Sequence, residues 1–100
     1  MNVLTVGLVG GWTVIVDANV TVYELRQVNV TCSTDYTEST VTFKWTSRSH
    51  PGFEQTGRRL LIDRATADVA GNYECTVKTE STSIEKKWAQ MYLNVICKYR

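Results

Sequence analysis

Apolar and polar residues alternate along most of the chain with a period of two. Val28, Val30 and Cys32 alternate with Asn29 and Thr31; Val41, Phe43 and Trp45 alternate with Thr42 and Lys44; Tyr73, Cys75 and Val77 alternate with Glu74 and Thr76. The longest run sets Ala89, Met91, Leu93 and Val95 against Trp88, Gln90, Tyr92 and Asn94. Successive side chains of a strand point to opposite faces, so each run predicts a half-buried strand with one apolar side. Thr, Val and Tyr, which suit a pleated surface, are abundant in these runs. Polar, turn-forming stretches separate them at 33–40, 47–57, 63–71 and 79–83, the second containing His50-Pro51-Gly52. The only helical candidate is a single turn near Ala65 to Ala70. Strands at this spacing predict an all-β, antiparallel sandwich of about seven to eight strands, with an up-and-down barrel as the structural alternative.

The bulk properties narrow the function classes. The chain has 100 residues, which fits one domain. A chain of this size buries only about two-thirds of its unfolded surface, so a covalent cross-link would matter. Hydrophobic residues make up 43%, which fits a globular domain and not a disordered one. The net charge is +1, from 11 basic and 10 acidic residues, with no long run of one sign. Nucleic acid is therefore not expected as a partner, because phosphate binding needs a concentrated basic footprint. No apolar run reaches the roughly 18 residues that span a bilayer, so this segment is not expected to insert into a membrane. The apolar start from Val3 to Val9 is short and has no basic lead, which does not fit a retained signal peptide. Met1 is read as an added start codon, and the chain as a piece of something longer. Of the three cysteines, Cys32, Cys75 and Cys97, none lies in a Cys-x-x-Cys pair, so no zinc site is expected. Three single bridges are possible, and the count alone does not choose among them.

One constellation goes further. Cys32 is followed thirteen residues later by Trp45, then by Leu60-Leu61-Ile62, then by Ala70-Gly71-Asn72-Tyr73-Glu74-Cys75. This arrangement, from about Val14 to Val95, resembles the immunoglobulin superfamily. The resemblance implies a Cys32–Cys75 disulfide between two sheets, with Trp45 packed against it. It also implies that Tyr73, two residues before the second cysteine, is the tyrosine corner. The inward phase of these residues in their strands agrees with each role. Gly71 would permit a tight approach into the strand of Tyr73. A bridge of this span is worth about 4 kcal/mol in the chain-entropy model. The family's usual acid four residues before the corner tyrosine is Val69 here, and Asp68 precedes it. A pair from Asp68 to Arg58 or Arg59 is thus at best an exposed one. Fourteen residues separate Trp45 from Leu60, too few for the two extra strands of a variable-type domain. An intermediate or constant-2 type is implied. Phe43-Lys44-Trp45 and the Thr79-Glu80-Ser81 loop are also similar to ligand-binding domains of platelet-derived and vascular endothelial growth factor receptors.

Catalysis has no support. His50 is the single histidine and lies in a turn, no Gly-x-Ser-x-Gly elbow exists, and the carboxylates are scattered. Gly7 and Gly10-Gly11 precede no Gly-Lys-Ser/Thr, so they form no phosphate loop. No catalytic residue, cofactor or metal is assigned. Asn19-Val20-Thr21 and Asn29-Val30-Thr31 fit the N-glycosylation pattern, and a disulfide implies the secretory route that would use it. Cys97 follows the last strand. It reads either as half of a bridge to another domain or chain, or as a thiol separated from its partner.

The outward side of the last strand carries Trp88 and Tyr92, two large aromatics four residues apart. They mark a partner-binding face that also includes Gln90, Lys44, Glu74 and Thr76. The competing reading is that they pack under a loop or against Trp12. Together these features lead to a division into an extension at 1–13, a domain at 14–96 and a linker at 97–100. The expected function is non-catalytic recognition of a protein ligand or counter-receptor at the cell surface, with self-association possible. A growth-factor receptor module and a spacer in a modular array are the alternatives.

Overall fold

A computed structural model describes residues 11–97. The apolar start from Val3 to Val9 and residues 98–100 lie outside the described residues. The strands are β1 (Val14–Ile15), β2 (Asn19–Tyr23), β3 (Val28–Thr31), β4 (Ser33–Thr34), β5 (Val41–Ser47), β6 (Glu54–Thr56), β7 (Arg59–Ile62), β8 (Gly71–Thr79) and β9 (Lys86–Ile96). A single 3-10 turn, Ala67–Val69, leads into β8. One layer is a five-stranded sheet in the order β2-β9-β8-β5-β6. In the other, β3 pairs with β7 and β1 with β4. β3 and β4 are one extended run interrupted at Cys32, whose N–H donates to Arg58 O at 2.8 Å.

This is the expected all-β sandwich, but not the wholly antiparallel one expected, because one strand pair is parallel. The pairing of β2 with β9 is parallel, whereas the strands of an up-and-down barrel pair antiparallel with their chain neighbours. The parallel pair arises because the chain changes layers between β1 and β2. It runs antiparallel to β4, crosses at Val16-Asp17-Ala18, and joins β9 where Tyr92 N–H donates to Ala18 O at 2.8 Å. Between Trp45 and Leu60 there is room for one short strand, β6, which pairs with β5 through Lys44, Trp45 and Thr46.

The core fills the space between the layers. Cys32 and Cys75 form a disulfide with Cα atoms 6.5 Å apart. Trp45 is opposite Cys75 in register and fully buried, and its indole N–H donates to Arg58 O at 3.2 Å. Val28, Val30 and Leu60 pack from one layer and Phe43, Val77, Met91 and Leu93 from the other. Ile62, at the end of β7, is only half-buried. Trp12, ahead of the expected domain start, is buried in the same cluster. Its ring lies 5.2 Å from that of Tyr36, and its N–H donates to Glu85 Oε1 at 2.7 Å. Lys87 Nζ donates to Trp12 O at 2.7 Å and sits 4.7 Å over the indole, a cation–π contact. Trp12 therefore does not cover Trp88.

Tyr73 forms the corner. Its hydroxyl donates to Val69 O at 2.5 Å, its ring makes a T-shaped contact with Phe53 at 5.3 Å, and burial pushes the phenol's pKa up. Gly71 opens this strand at φ +144°, and a Cβ there would come within 2.5 Å of Ser49 Oγ. That oxygen accepts the Asn72 N–H at 2.9 Å, so a side chain at residue 71 would displace a bonded group. Among the described residues no ion pair joins Asp68 to Arg58 or Arg59; the Arg58 guanidinium instead lies 4.8 Å over the Phe43 ring.

Two predictions follow from this packing. Trp45→Ala removes the largest side chain of a closed core and leaves a cavity beside the disulfide. A denaturant melt should show a loss of about 3–5 kcal/mol; a loss under about 1 kcal/mol would contradict the burial. Asp35 accepts the Thr13 backbone N–H at 2.7 Å and its hydroxyl at 3.3 Å. The backbone hydrogen bond holds the carboxyl below its ordinary pKa. A carboxylate with a depressed folded pKa stabilises above its unfolded pKa, and that contribution disappears as pH falls through the folded value. Asp35→Asn should therefore flatten the acid limb of the stability profile while leaving the limb above neutrality unchanged.

Candidate functional site

The outer face of the five-stranded sheet brings the expected face residues into rows. Lys44, Thr76 and Trp88 stand abreast across β5, β8 and β9. Thr46, Glu74 and Gln90 form the next row, and Asn72 and Tyr92 the one after. Trp88 is 60% exposed and Tyr92 45%. On the Trp88 side of the face, Lys78 and Lys86 are opposite one another and exposed. Lys44 Nζ pairs with Glu54 Oε2 at 3.0 Å, both side chains more than half exposed, so the pair adds little stability.

The sequence reading missed two members of this face. Ile96 continues the outward phase of β9 and is 40% exposed; extending the alternation by one step finds it. Tyr23 is opposite Ile96 and 52% exposed. Nothing local to Tyr23 signals this, because the parallel register of β2 on β9 puts it there. Trp88, Tyr92 and Ile96 thus form a stripe along β9 with Tyr23 beside its end. Isolated exposed apolar residues are ordinary, but three on one strand face, separated only by Gln90 and Asn94, make a candidate contact surface.

The two sequons fall on different layers. Asn29 lies on β3 opposite Leu61, in the wall of a shallow groove of about 420 Å³ that Ile15 and Val20 also line. Asn19 starts β2 and is directly opposite Tyr92. Since Val20 is opposite the fully buried Leu93, Asn19 belongs to the outer side with Tyr92.

The remaining chemistry-bearing residues contact their neighbours in the fold. His50 Nε2 lies 2.9 Å from Ala70 O, and the His50 N–H donates to Ser47 Oγ at 3.2 Å, tying the Pro51 turn to the entry of β8. Cys97 lies outside the disulfide with Sγ 3.0 Å from Glu24 Oε1. Among the described residues no group of three metal-ligating side chains occurs, and no helix is long and apolar enough to cross a membrane. The face offers aromatic area and a few charges.

Comparison with known proteins gives a family and a fold. The family model for the immunoglobulin domain matches residues 12–95. No curated protein sequence matches the chain. Among solved structures, murine CRIg superposes with a TM-score of 0.69 at 19% identity, over 86% of this chain and 98% of that one. DIP-gamma IG1+IG2 gives 0.64 at 16% identity, over 84% of this chain and 48% of that one. The four N-terminal Ig domains of Dscam1 isoform 6.9 give 0.66 at 21% identity, over 84% of this chain and 20% of that one. The chain thus spans about half of the DIP-gamma chain and a fifth of the Dscam1 chain. At these identities the similarity is one of fold.

The contrast among the three tryptophans is directly measurable. Trp12 and Trp45 are buried and Trp88 is exposed. Iodide should quench one component of the native emission, and Trp88→Phe should abolish that component. Retention of the quenchable fraction in Trp88→Phe would show that another tryptophan is the accessible one.

Proposed function

The chain belongs to the immunoglobulin domain family, and from that premise we propose that it is an extracellular recognition module that docks a protein partner on the outer face of its five-stranded sheet. The stripe of Trp88, Tyr92 and Ile96 on a rigid sheet carries this reading, because buried Trp and Tyr dominate the binding energy of protein interfaces. Lys44, Glu74, Thr76 and Gln90 flank the aromatics and supply a polar rim. The disulfide supports a secreted or cell-surface setting. The solved structure of Dpr11 IG1 bound to DIP-gamma, a complex between such domains, agrees with this reading. A spacer in a modular array would have no use for an exposed aromatic stripe. The similarity to growth-factor receptor modules has no counterpart among the structures named above. A counter-receptor, ligand or second copy of the domain is the partner class.

The test begins with a multimerised form of the domain as bait against an array of ectodomains that includes the domain itself. Each partner found is then titrated with Trp88→Ala and Tyr92→Ala, with melting curves to confirm folding. Loss of a hot-spot aromatic should weaken binding by about thirtyfold, equivalent to ~2 kcal/mol. If both variants bind as tightly as the parent, the face is not the site. The loops Thr34 to Thr40 and Thr79 to Ser83 then take its place.

A further inference from the structure

The outer face is not uniform in chemistry. Around Trp88 stand charged side chains: Lys44 two strands away in the same row, Lys86 two residues earlier on β9, and Lys78 and Glu74 on β8. Around Tyr92 the four nearest outward neighbours are uncharged amides. Asn72 is opposite on β8, Asn19 opposite on β2, and Gln90 and Asn94 flank it on β9. Thr21, opposite Asn94, and Glu74, opposite Gln90, stand diagonal to the ring.

A flat aromatic ring ringed by amides is the chemistry that recognises a sugar. The C–H face of a pyranose lies against the ring, and amides both donate to and accept from the hydroxyls. Opposed charges, by contrast, are the chemistry that steers a protein partner. Asn19 is also the first residue of an Asn-Val-Thr sequon. Strands lie about 4.8 Å apart, so a sugar on the Asn19 amide starts one strand spacing from the Tyr92 ring. β2 is the edge of the sheet, and beyond it the described residues offer no further strand of this layer for the sugar to lean on.

We propose that Asn19 carries an N-linked glycan whose first sugar rests on the Tyr92 ring, so that the outer face divides into a sugar-covered half at Tyr92 and an open protein-docking half at Trp88. The competition between sugar and partner rests on the docking function given above. The placement of the sugar does not. Asn29 has no part in it, because it lies on the opposite layer. When the glycan is absent, Tyr92 joins the docking area; when it is present, the partner contacts the Trp88 half alone. Occupancy of one sequon therefore sets the footprint of the face.

The test needs no partner. The domain is produced in glycosylating cells with Asn29→Gln to isolate the Asn19 site. Peptide N-glycosidase converts a glycosylated asparagine to aspartate, and peptide mass spectrometry then reads whether Asn19 carried sugar. Hydroxyl-radical footprinting before and after the enzyme compares Tyr92 with Trp88. The expected result is conversion at residue 19 and a severalfold rise in Tyr92 labelling on removal of the glycan, with Trp88 unchanged. An additional Asn19→Gln substitution should reproduce the deglycosylated pattern. An unmodified Asn19, or Tyr92 labelling that is the same with and without the glycan, overturns the proposal. A null result in the Trp88→Ala titration would remove the docking function while leaving this footprint intact, so the two failures are distinct.

Discussion

The covalent link between Cys32 and Cys75 is the constraint on which the other arrangements depend. It ties β8 to the opposite layer where Trp45, in register with Cys75, fills the space beside it. For a domain this small, a bridge of that span supplies stability comparable to a large part of the whole. Its position also fixes phase. With Cys75 inward, Tyr73 and Val77 must also be inward, and Glu74 and Thr76 must face out. Register then carries that phase to β9, where Met91 is opposite Tyr73 and Trp88 opposite Thr76. A slip by one residue would turn Trp88 and Tyr92 into the core and expel Met91 and Leu93, which the apolar pattern forbids. The exposed stripe is thus a remote consequence of where two cysteines lie.

Much of this was legible in the sequence because a period of two reports the face of every residue in a long strand. Trp45 in the core and the outward aromatics of β9 rest on alternation read within single segments, whereas the pairing of Cys32 with Cys75 came from the resemblance to the immunoglobulin superfamily, with which their inward phase agrees. What was not legible depended on segments meeting. The parallel pairing of β2 with β9 follows from the chain changing layers at Val16-Asp17-Ala18, and no local pattern records that crossing. It carries Tyr23 to Ile96 and Asn19 to Tyr92. Trp12 also escaped, for a different reason. It precedes any alternating run, and its burial depends on Tyr36, Glu85 and Lys87, which are distant in sequence.

Where local preference and conformation disagree, the disagreement is at the end of β2. Leu25 has φ +72° in the tight turn that leads toward β3, a region that favours glycine. The turn is held by Arg26 N–H to Tyr23 O at 3.2 Å, by Leu25 N–H to Ala65 O at 2.7 Å and by Ala65 N–H to Arg26 O at 2.8 Å. Two of these three hydrogen bonds reach across to the segment after β7, so tertiary bonding over-determines a backbone that a leucine would not choose alone. The side chain stays half exposed near Tyr23, at the same end of the molecule as Ile96 and Cys97.

The parallel ladder between β2 and β9 also sets how the domain answers to tension. A pull applied ahead of Asn19 and beyond Ile96 drags the two strands past each other along their common axis. The register pairs from Asn19–Tyr92 to Tyr23–Ile96 are then sheared together, instead of being peeled apart in sequence as in a hairpin pulled from its open end. Rupture needs several hydrogen bonds to fail at once, which raises the force the domain withstands before it yields. Once it yields, the cystine shunts the tension from Cys32 to Cys75, and the chain between them, a sequence separation of 43, stays slack. The fold behaves as a stiff link with a short, fixed reserve of length.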